Sequence, residues 1–63
     1  MPDIDRSLAY TALLELDEEF GKLNARRAAE EVTALVTAWR TADSTDKWEF
    51  TRSWIAVRKE ARA

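Results

Sequence analysis

Apolar residues recur along this chain at steps of three and four, and the phase of that recurrence breaks twice. Ala9, Leu13, Leu16, Phe20 and Leu23 follow steps of four, three, four and three, which places them on one stripe of an α-helix and predicts a packing seam. Tyr10 and Leu14, one turn apart, lie on the flank of that stripe. A second stripe runs through Ala25, Ala28, Val32, Leu35, Trp39 and Ala42. Ala29 and Val36 widen it, while Glu30, Thr33, Thr37 and Thr41 face away, the pattern of an amphipathic helix. In the last third, Phe50, Trp54, Val57 and Ala61 repeat at four, three and four, which predicts a core stripe. Trp48, Arg52, Ile55, Lys59 and Arg62 form a separate basic and aromatic line, about 100° or more around the same helix.

Local chemistry supports breaks between these segments. Asp3 is a plausible N-cap for a first helix, and Asp5 suits the positive end of its dipole. Gly21-Lys22-Leu23-Asn24 reads as a turn: Gly21 can take a left-handed C′ position, Asn24 can cap the next helix, and Leu23 can staple onto Ala28. The competing reading is one continuous helix through Gly21, supported by Glu18 and Lys22 at i,i+4, a pair worth about 0.3–0.5 kcal/mol. A penalty of about 1 kcal/mol for glycine inside a helix, together with the phase break, favours a hairpin. Asp43-Ser44-Thr45-Asp46 is the second break, and Asp46 with Glu49 resembles a capping box. The expected helices therefore span about 3–20, 25–42 and 46–62. The expected fold class is all-α: a helical hairpin plus a third helix, a small three-helix bundle with dimerisation as a means of completing it.

Length sharpens the problem. The chain has 63 residues, so it forms a single small domain, and a domain of that size buries only about 60% of the surface its unfolded chain exposes. It contains no Cys and no His, which removes disulfides and ordinary zinc sites as staples. Association with another chain is the remaining device. Trp39, Trp48 and Trp54, joined by Phe50, are a large aromatic load for so small a core. Only one Gly and one Pro leave little material for hairpin turns of a sheet.

Charge is uneven. Residues 1–20 carry a net −5 and the remainder +3, together the −2 of the whole chain. Glu15, Asp17, Glu18 and Glu19 crowd the C-terminal end of the first helix, and Arg26 with Arg27 open the second, each unfavourable for its own helix dipole. A tight turn is expected to bring the two clusters together. The asymmetry could also orient two copies or dock a basic partner.

Catalytic chemistry is not expected. Without His or Cys the usual nucleophile and base pairings are missing, and Glu30 and Glu31 are adjacent and point in different directions. Residues 43–46 lack the alternating oxygen ligands and central glycine of a calcium loop. No cofactor, metal or small-molecule substrate is implied. The longest apolar run, Trp54-Ile55-Ala56-Val57, is far short of the ~20 residues of a membrane span, and no targeting segment is visible; a cytoplasmic protein is expected.

Two functional readings follow. The first is a small regulatory module for protein–protein interaction, acting as a homodimer or as a modulator that masks a larger protein partner. Trp48, Ile55, Tyr10 and Leu14 are its expected contact residues, with Arg52 and Lys59 steering an acidic surface. The second is a DNA- or RNA-binding regulator using the basic face of the third helix. The chain's negative net charge opposes it, and a helix-turn-helix would need a shorter, less acidic linker than residues 43–46.

Overall fold

The computed structural model describes residues 4–43 and 45–62. Along the chain run α1 (Arg6–Leu16), a short 3-10 turn (Phe20–Lys22), α2 (Ala25–Thr41) and α3 (Lys47–Arg62). Helix α1 packs against both α2 and α3, so the molecule is an all-α bundle: a hairpin of two helices with a third laid against it. No helix among the described residues is long and apolar enough to cross a membrane.

The hairpin forms as expected, but its bend lies elsewhere. Helix α1 stops at Leu16 and not at Phe20, because Asp17 adopts an extended conformation (φ −132°, ψ 106°) while its N–H still reaches the Leu13 carbonyl. The Asp17 carboxylate then accepts from the Glu19 N–H at 3.1 Å, a local turn that competes with the helix for the backbone. Carboxylates crowd this end, and no basic side chain in the last turn of α1 offsets the helix dipole. Gly21 is not the left-handed cap expected of it. It sits in the 3-10 turn without a positive φ, and a Cβ there would meet nothing within 4 Å. Asp3, the expected cap of the first helix, lies outside the described residues; the N-cap position of α1 is Asp5, in the left-handed region (φ 51°, ψ 35°) with no capping bond from its side chain.

The other two helix starts follow the sequence closely. Asn24 Oδ1 accepts from the Arg27 N–H at 2.9 Å, and Leu23 and Ala28 both pack against the core. Asp46 Oδ1 accepts from the N–H groups of Trp48 and Glu49, each at 3.1 Å. These bonds satisfy donors that a bare helix start leaves orphaned.

Ala9, Leu13, Phe20, Val32, Leu35, Val36, Trp39 and Ile55 form the core cluster. Leu13 and Leu35 are fully enclosed, each contributing roughly 1.5–3 kcal/mol of burial. The seams expected on the first two segments are therefore present, with Phe20 and Leu23 delivered by the turn in place of the helix. On α3 the expected phase is wrong. Val57 is 63% exposed and Ala61 is exposed, whereas Thr51 and Ile55 are buried at 0% and 5%. Phe50 and Trp54 are only partly buried against the core. The seam is rotated toward Thr51, whose hydroxyl donates to the Lys47 carbonyl at 2.6 Å and accepts from Trp39 Nε1 at 3.3 Å. With both roles of the hydroxyl used, Thr51 can occupy the centre of an apolar face.

The charge clusters do not meet across the turn as expected. Arg26 and Arg27 both pair with Glu30 on their own helix, at 3.8 and 3.4 Å. Lys22 pairs with Glu19 at 4.0 Å, not with Glu18. Asp17 meets Lys59 of α3 at 3.9 Å. Glu15 and Glu18 make no ion pair among the described residues.

Candidate functional site

Helix α3 covers one side of the hairpin and leaves the opposite side open. There α1 and α2 bound an open groove of about 580 Å³. Its α1 wall is Ser7, Tyr10, Thr11 and Leu14, and its α2 wall is Ala25, Ala28, Ala29 and Val32. Each set follows i, i+3, i+4, i+7, so each wall is one helical stripe running about 10 Å along its axis. Phe20, Gly21 and Leu23 from the turn close one end. At the other end Arg6 Nη1 donates to Thr33 Oγ1 at 2.9 Å, bridging the helices.

The two walls differ in bulk. On α1 the aromatic and aliphatic side chains stand up: Tyr10 is 47% and Leu14 46% exposed, and Tyr10 meets Phe20 edge-on with ring centroids 5.4 Å apart. On α2 the wall is mostly alanine, and Ala25 and Ala29 are exposed. Both belong to the apolar stripe read from the sequence; the fold leaves its first turns uncovered. Covering the open half of Tyr10 and of Leu14 is worth about 1 kcal/mol each. Small residues opposite let a further backbone approach closely. The arrangement can seat about two turns of helix.

The six expected contact residues separate in space. Tyr10 and Leu14 lie side by side in the groove. Ile55 is a correction: at 5% exposure it belongs to the core and cannot touch a partner. It follows Thr51 by one turn, and the rotated seam carries both inward. Lys59 is engaged with Asp17. Trp48 is half-buried and Arg52 exposed; neither lines the groove, and Val57, an exposed large apolar side chain of α3, lies five residues past Arg52 and about 140° around the helix, on a different face. The side chain of Arg62 lies outside the described residues. Other cations of α3 are also occupied: Lys47 sits 5.2 Å above the Trp39 ring, and Arg58 pairs with Glu31 while lying 4.6 Å above the Trp54 ring.

What sequence reading missed is the α2 wall. The signal was present in the alanines that open the second stripe, but alanine in a seam ordinarily signifies close packing within the same domain. Among the described residues no group of three or more acidic side chains is placed to hold a metal ion. No family model, curated protein or solved structure matches the chain.

Proposed function

We propose that this chain is a small protein-binding module that takes an amphipathic helix into the α1–α2 groove, supplied by a second copy or by a larger protein whose surface it masks. The observation that carries this reading is the pairing of two exposed large apolar side chains, Tyr10 and Leu14, with an uncovered alanine wall across a closed-ended groove. Exposed apolar surface gathered in one concave place is what helix-in-groove recognition uses. The nucleic-acid reading has less support, because Lys59, Arg58 and Lys47 are each committed within the fold and the basic line of α3 is interrupted by buried Ile55.

The test is affinity capture from a lysate of the source cells that also contains a differently tagged copy of this chain, after nuclease treatment. Wild type, Leu14→Glu and Arg52→Glu serve as bait. Leu14→Glu is expected to lose the captured protein at least tenfold while Arg52→Glu retains it. Capture that survives Leu14→Glu and disappears with Arg52→Glu or with nuclease would sink the proposal.

A further inference from the structure

Resting on the docking role of the groove, we infer that its occupant is a second copy of this chain, set face to face about a two-fold axis that runs along the groove. Two independent asymmetries of the surface point to it. A two-fold interface must be self-complementary, so each feature needs its opposite on the same face. The first asymmetry is bulk: Tyr10 and Leu14 rise on the α1 wall, and alanines line the α2 wall. An axis along the groove lays the α1 ridge of each copy on the α2 wall of the other, large on small. An axis across the helices would set ridge on ridge and is disfavoured by the same shapes.

The second asymmetry is charge. At the turn end of the groove, Glu15 lies just outside Thr11 and Arg26 just outside Ala29, about 40° and 60° further round their helices. The two therefore mark the outer margins of opposite walls at one end. Both sit badly for their own helix: the last turn of α1 has no basic residue and the first turn of α2 no acidic one. The hairpin does not relieve this by pairing them, since Arg26 reaches only Glu30 and its side chain is 90% exposed. A two-fold axis along the groove keeps the height of each residue and exchanges the walls. It brings Glu15 of each copy to Arg26 of the other, twice per dimer. The symmetry operator chosen for bulk is thus the one that satisfies charge. The assembled core would be four antiparallel-neighbouring helices, α1 and α2 from each copy, with α3 on the outside.

The experiment is sedimentation equilibrium on the full chain as wild type, Glu15→Arg, Arg26→Glu and the double reversal, with thermal melts at low concentration alongside. Wild type is expected to dimerise. Each single reversal should raise the dissociation constant roughly 2- to 30-fold, as two exposed pairs turned repulsive require, and the double reversal should restore it. Both reversals place the favoured sign at a helix end, and for Arg26→Glu that gain offsets the lost i,i+4 pair with Glu30, so the dilute chain should melt close to wild type. That outcome separates lost association from lost folding. Wild type that stays monomeric to roughly 1 mM overturns the inference, as do dimers insensitive to the single reversals or weakened further by the double. A monomer that still captures another protein through Leu14 removes the second copy as occupant and leaves the groove's docking role standing.

Discussion

Trp39→Ala is expected to remove at least about a third of the folding stability and as much as all of it. Trp39 is 6% exposed within the core cluster and links α2 to α3 through its Nε1–H bond to Thr51. Truncating a buried aromatic to alanine costs about 3–5 kcal/mol. A chain of this length has a total stability of only about 3–9 kcal/mol, at roughly 0.05–0.15 kcal/mol per residue. The loss takes between about a third and all of it. Thr51→Val separates the hydrogen bond from the bulk: it keeps the volume, strands the indole N–H, and should cost about 1–3 kcal/mol. Urea titration followed by circular dichroism reads both, and an alanine variant within about 1 kcal/mol of wild type would contradict the assigned core.

The second large effect is expected at Ile55. Ile55→Glu should leave the chain unfolded, because an unpaired carboxylate would replace a methyl-bearing side chain at 5% exposure, against a burial cost of several kcal/mol. Leu14→Glu, at 46% exposure, should cost only about 1–2 kcal/mol, from the covered half of the side chain and one more carboxylate near the end of α1, and should leave the chain folded. The contrast is informative because both positions belong to apolar lines that could equally be read as surface. Helical circular dichroism retained by Ile55→Glu, or lost by Leu14→Glu, would reverse their roles.

How much of this was legible in the sequence depends on what each residue's chemistry announces. Asn24 and Asp46 read as caps because short polar side chains before an apolar stripe have few other uses, and both make the expected bonds. The α2 stripe read correctly because its buried members Val32, Leu35, Val36 and Trp39 are all apolar. The phase of α3 did not, because its most buried residue is a threonine. A pattern that sorts residues into apolar and polar moves the seam away from Thr51, and so takes Val57 for core and Ile55 for surface. Only the partner of the hydroxyl, Trp39 on another helix, shows otherwise. The end of α1 was missed for a similar reason: Asp17 bends the chain through its own side chain, while Gly21, the obvious breaker, lies beyond the bend.

The candidate site was half legible. Tyr10 and Leu14 stood out as apolar residues off the seam, and the fold leaves them exposed together. Trp48, Arg52, Ile55 and Lys59 formed an equally regular line, but a line on one helix says nothing about which neighbour covers it. In this bundle α3 turns Ile55 inward and spends Lys59 on Asp17. The groove, by contrast, is made by two helices brought side by side, and neither wall is recognisable without the other.

The central claim is that the α1–α2 groove, and not the basic line of α3, is the surface through which this chain associates. Its most direct test is a map of backbone amide chemical shifts as the isotopically labelled chain is concentrated or titrated with the protein it captures. The account predicts that the shifts gather at Ser7, Tyr10, Leu14, Ala25 and Ala29 while Arg52, Ala56 and Val57 stay still. Shifts that cluster on Arg52, Ala56 and Val57 and leave the groove unmoved would contradict it.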